Sequence, residues 1–111
     1  MAAETSLQRF GWRYVVARGA ETVAELVAEV YDTQAMLHHR VNNFSRPLLF
    51  ELRAHLETVR ADLRAEGVTQ IVASSDHYDA KMGRYWQLMG FRCFGQCQAS
   101  GVTIHFAVME A

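Results

Sequence analysis

Leu48, Leu49, Leu52, Leu56, Val59 and Leu63 recur at spacings of three and four through the middle of the chain. Side chains at those intervals share one stripe of an α-helix, here about five turns long and ending near Gly67, with Arg53, Glu57, Arg60 and Arg64 toward solvent. The segment that follows predicts what the stripe packs on. Val68 to Ser74 is a short apolar run without full alternation, the pattern of a central strand covered on both faces. Ser74 to Tyr78 reads as a polar turn. Met82, Tyr85, Trp86 and Met89 then mark the buried side of another helix that stops at Gly90. Phe91 to Gln98 and Val102 to Met109, joined by Ala99-Ser100-Gly101, predict a closing hairpin.

The first third is read by the same periodicities. Phe10, Trp12, Tyr14 and Val16 alternate with Gly11, Arg13, Val15 and Ala17, which predicts one strand from Phe10 to Ala17. Gly19 breaks it. Thr22-x-x-Glu25 reads as a capping box ahead of Val23, Leu26, Val27 and Val30 at helical spacing, so a helix is expected over residues 21–31. Asp32 to Asn43 has two readings, a short strand at Ala35-Met36-Leu37 or a continuation of the helix into His38-His39-Arg40. Asn42 to Pro47 is a break before the long helix.

Together these elements predict an α/β (α+β) fold, a three-layer arrangement of a mixed sheet of about four strands with about three helices. With 111 residues, half of them hydrophobic, the chain has material for one core, and a single domain over 1–111 is expected. Its 11 Lys and Arg against 12 Asp and Glu give no field of either sign, which argues against nucleic acid as a partner. No apolar stretch approaches the roughly 18 residues of a membrane span, and Met1 to Gln8 has no apolar core of a secretory signal. A cytoplasmic, reducing setting is the expectation.

Cys93 and Cys97 fall four apart on one strand, on the same face at roughly 13 Å, too far for a disulfide and without further ligands for zinc. Two buried free thiols and no metal are expected. His38 and His39 diverge on a helix or a strand alike and read as an exposed or capping pair. Asp76-His77-Tyr78-Asp79 follows the central strand, where α/β sheets place ligands, so His77 is a candidate base. The alternative is that Ser75, Asp76 or Asp79 caps the next helix.

Two local patterns resemble the GNAT acetyltransferases. Their phosphate-binding loop, Gln/Arg-x-x-Gly-x-Gly/Ala before a long helix, is similar to Arg40-Val41-Asn42-Asn43-Phe44-Ser45 ahead of Arg46-Pro47-Leu48-Leu49. Their Asn-x-x-Ala-x-x-Leu-Tyr-x-x-x-Gly-Phe is similar to Asp79 through Gly90-Phe91. The resemblance implies that Arg40, Asn43, Phe44 and Ser45 face the pyrophosphate of acetyl-CoA, with backbone N–H groups as the cradle. Asn43 and Ser45 replace the small residues of that loop, and Pro47 removes one N–H, so weak or lost acetyl-CoA binding is expected. Trp86 stands where many members carry a proton-donating tyrosine. Tyr85, roughly 100° round the helix, is the substitute candidate beside His77.

The resemblance extends to small GNAT-like proteins of bacteriophages and implies two functions. One is a degenerate scaffold that works by contact with a host or virion protein, the other an acetyl-CoA-dependent N-acetyltransferase acting on an amine. The family has about three more strands before the phosphate loop than residues 32–39 supply, and a sheet shortened in that way predicts a homo-oligomer, a dimer above all.

Overall fold

In the computed structural model, which describes residues 4–42 and 45–111, Glu21–Tyr31 is a strand and not a helix. Ala24, Leu26, Ala28 and Val30 alternate there with Glu25, Val27, Glu29 and Tyr31, and the first three of the inward set are buried. A register shift in the pairing with the preceding strand takes Val16 opposite Ala24 and Ala17 opposite Thr22. Val23 is therefore an extra residue, and Val23 and Ala24 are buried consecutively. That doubled burial, together with alanines on the inward face, imitates helical spacing.

The described residues form β1 (Ser6–Phe10), β2 (Arg13–Arg18), β3 (Glu21–Tyr31), β4 (Gln34–Val41), α1 (Arg46–Ala65), β5 (Gln70–Ser75), α2 (Ala80–Met89), β6 (Arg92–Ala99) and β7 (Val102–Glu110). All seven strands belong to one sheet of order β1-β2-β3-β4-β5-β7-β6. The α+β class holds, with seven strands and two helices in place of about four and about three. The strand expected over Phe10 to Ala17 is two strands, because Gly11, at φ 61°, turns the chain so that Phe10 faces Arg13. Residues 32–41 resolve as the turn Asp32-Thr33 and then β4, the strand reading. The closing hairpin stands as expected, with Ser100 and Gly101 both at positive φ in a two-residue loop.

Handedness explains where the helices lie. β4 and β5 are parallel and joined through α1. β5 and β6 both run antiparallel to β7, so they too are parallel, and α2 joins them. Both crossovers move the same way along the sheet, and right-handed connections then place both helices on one face. The core follows: Leu48, Leu52, Leu56, Val59 and Leu63 of α1 and Tyr85, Trp86 and Met89 of α2 pack with Tyr14, Leu26, Leu37, Ile71 and Ala107 of the sheet. The expected stripe of α1 is thus confirmed, and Gly67, at φ 87°, follows its end.

The opposite face carries no helix among the described residues, so the protein has two layers where three were expected. Val72 lies there, half-buried, and β5 is covered on one face only. Cys93 and Cys97 are both exposed, against the expectation of buried thiols. Phe94 is inserted between the pairs Cys93 with Ala107 and Gly95 with Phe106, while Cys97 pairs with Ile104. The bulge reverses the alternation and sends the two thiols to opposite faces. No helix among the described residues is long and apolar enough to cross a membrane.

Candidate active site

β4 and β5 begin side by side and then part. Gln34, Ala35 and Met36 pair with Gln70, Ile71 and Val72, and the pairing stops there although β4 continues to Val41 and β5 to Ser75. The strand ends splay into a wedge at their carboxyl side, the position where open α/β sheets receive ligands. A cavity of about 560 Å³ fills it, lined among others by His39 and Arg40 of β4, Ser74 and Asp76 at the end of β5, and Tyr85 and Trp86 of α2.

Tyr85 is almost wholly buried, and its hydroxyl lies 2.9 Å from Nδ1 of His39. This pair spans the wedge from one wall to the other. Burial pushes the Tyr85 hydroxyl well above the ordinary tyrosine range. It pulls the His39 imidazole down to about 4, with the neighbouring charge of His38 adding to the effect, so the ring is neutral at pH 7. His38, one residue earlier and on the opposite face, is exposed and 2.7 Å from Glu29. The reading of the two histidines as one exposed pair thus holds for His38 only.

The sequence candidates separate. Tyr85 is in the wedge. His77 is exposed on the turn before α2, 3.7 Å from Asp79, and lines a different cavity of about 460 Å³ with Lys81 and Arg84. The two cavities share Met82 and Tyr85. Asp79 caps α2 by accepting the N–H of Met82 at 2.9 Å, and that contact is the main cause holding its carboxyl below the usual range. Arg40 lines the wedge. Asn43 and Phe44 lie outside the described residues.

Ser45 caps α1, its Oγ accepting the N–H of Leu48 at 3.3 Å, while its carbonyl accepts that of Leu49. Pro47 has no N–H to offer. Just before Asn43, the N–H of Asn42 goes to the carbonyl of Val23 and its side-chain amide to that of Thr22. Among the described residues, the start of α1 therefore keeps few donors for an anion. Among the described residues no three His, Cys, Asp or Glu side chains gather at a metal position.

His39 is the residue that sequence reading missed. The only signal was its place on β4, since Leu26, Leu37 and His39 share the inward face once β3 and β4 are recognised as paired.

A seven-stranded sheet of this order, split between β4 and β5 under two helices, is the GNAT acetyltransferase fold. Among solved structures it is similar to Ard1 from Thermoplasma volcanium, with a TM-score of 0.72 at 12% identity over 89% of this chain and 70% of that one. The ribosomal-protein-S18-alanine N-acetyltransferase from Escherichia coli gives 0.68 at 14% identity over 92% and 71%. The yncA protein of Salmonella typhimurium, solved with its cofactor acetyl-CoA, gives 0.68 at 15% over 88% and 63%. No protein-family model and no curated protein matches the sequence. At such identities the likeness establishes the fold.

Proposed function

We propose that the chain is an acetyl-CoA-dependent N-acetyltransferase. The observation that carries this reading is the wedge itself, with a buried tyrosine hydroxyl on its wall. Among the described residues, β4 beyond Met36 has a strand partner in β3 but none on the β5 side, so an extended molecule bearing amides can pair with that edge as an added strand. The amide-rich arm of acetyl-CoA fits this requirement, and the cavity has room for its acyl end. Lys81 and Arg84, in the adjoining cavity, bring positive charge suited to the phosphates.

Bound there, the thioester would supply an acetyl group open to attack by an amine. Tyr85 holds a proton at Oη for the departing sulfur, the role that Trp86 cannot fill because an indole N–H is too weak an acid. His77, exposed and outside the wedge, takes no part. Calorimetric titration with acetyl-CoA tests the reading. Binding weaker than about 1 µM, less favourable than roughly −8 kcal/mol, is expected because Ser45 and Pro47 leave the start of α1 short of donors. Absence of binding at millimolar acetyl-CoA sinks it. Tyr85→Phe is expected to lower kcat by about 10²-fold or more with binding unchanged.

Those same two residues favour a second reading, a GNAT-like scaffold of the phage type that has given up acetyl transfer and acts on a host or virion protein. Homo-oligomer formation is compatible with either, on the helix-free face of the sheet. A null titration together with a retained fold would select the second.

A further inference from the structure

The surroundings of His39 decide where its proton sits. Nδ1 is 2.9 Å from the hydroxyl of Tyr85. The two rings meet edge to face with centroids 5.7 Å apart, and Phe91 packs on the imidazole at 5.6 Å. Nε2 is buried and has no hydrogen-bond partner among the described residues. A neutral imidazole carries one proton and one bare lone pair. A proton on Nε2 would orphan a buried N–H donor, whereas a proton on Nδ1 goes to the Tyr85 oxygen and leaves only a lone pair unpaired, the lesser defect.

We propose that His39 is a positioning residue of the wedge: its Nδ1–H donates to Oη of Tyr85, so the tyrosine's own proton turns away from His39 toward the cavity both residues line. The proposal rests on the acetyl-transfer reading and explains how a chain with Trp86 keeps a usable hydroxyl. In that reaction the amine nitrogen bonds to the acetyl carbon and the carbon–sulfur bond breaks. The sulfur takes the Tyr85 hydroxyl proton, and the phenolate regains one shed by the nitrogen through water at the mouth of the wedge. Donation from Nδ1–H stabilises that phenolate as it forms, against the burial that opposes it. The imidazole stays neutral throughout, because burial also holds His39 far below its ordinary range.

Nitrogen-15 NMR of the histidine-labelled full chain near pH 7 reads the tautomer directly. The expected result is an Nδ1–H signature for His39 that reverts to the commoner Nε2–H form in Tyr85→Phe. An Nε2–H signature in the wild type, or a tautomer indifferent to Tyr85→Phe, overturns the proposal. Kinetics supply a second readout: His39→Leu should lower kcat about tenfold or more at unchanged KM, and His39→Asn, whose amide N–H can reach Oη, should restore part of it. Equal kcat in wild type and His39→Leu also overturns it. Failure of the wild type to bind acetyl-CoA in calorimetry overturns the acetyl-transfer reading and the kinetic role with it, while the tautomer still reports the orientation of Tyr85 separately.

Discussion

A half-buried imidazole that stays neutral ties stability to pH. His39 is lowered from 6.5 to about 4, so between those values the unfolded chain binds a proton that the folded chain refuses. Stability is therefore unaffected by this residue above pH 6.5 and falls as the pH drops toward 4, by at most roughly 3.5 kcal/mol at about 1.4 kcal/mol per unit. Urea denaturation at pH 7 and pH 4.5 should show this loss in the wild type and a shallower one in His39→Gln. Equal slopes would mean that the ring is hydrated. The carboxylates of Glu51 and Asp79, held below their usual range by hydrogen bonds from Thr5 and Met82 respectively, lose their contributions lower still, as they protonate, and do so in both variants.

The start of α1 sets a helix cap against an anion cradle. Ser45 spends its hydroxyl on the N–H of Leu48. Ser45→Gly releases that donor at a stability cost of only a few tenths of a kcal/mol, since glycine is itself a tolerated cap. Combined with Pro47→Ala, which restores an N–H, it is expected to tighten acetyl-CoA binding in calorimetry; no gain would show that the phosphates lie elsewhere. Further along the helix, Leu56 is 1% exposed at the middle of the stripe. Leu56→Ala should cost about 2 to 5 kcal/mol in denaturant titration, and a change within about 0.5 kcal/mol would contradict its place in the core. Both helices were legible because each is one-faced and followed by glycine. β3 was not, because its inward residues include two small alanines and a bulge that buries Val23 beside Ala24, so the period of two was hidden.

At the scale of the whole molecule, one sheet face carries no helix among the described residues. Met36, Val72 and Phe106, with Tyr31 and Phe94 at 62% and 58% exposure, surround a hollow of about 440 Å³ there. Apolar surface of that kind on one side of a sheet favours association, and a twofold dimer is the expected form. Light scattering across the micromolar range should give a dimer mass, reduced to that of a monomer by Met36→Lys with Phe106→Lys. A monomer mass throughout for the wild type would refute it. The strands expected to be missing are present, so association would rest on the uncovered face and not on an open sheet edge.

Local chemistry was enough to specify α1, α2 and the last hairpin, because stripe, cap and turn residues act within a few positions of one another. The Gly90-Phe91 ending and the shift of hydroxyl from residue 86 to residue 85 were equally readable from the chain. Tertiary structure decided the rest. Whether Glu21–Tyr31 became helix or strand depended on β2 and β4 offering backbone partners on both sides. Whether His39 was a surface residue or half of a pair with Tyr85 depended on strands 36 residues apart at Met36 and Val72 being joined and then parted. Hydrogen bonds between distant strands carry no periodicity of their own, so neither outcome was written in the spacing of the residues that produced it.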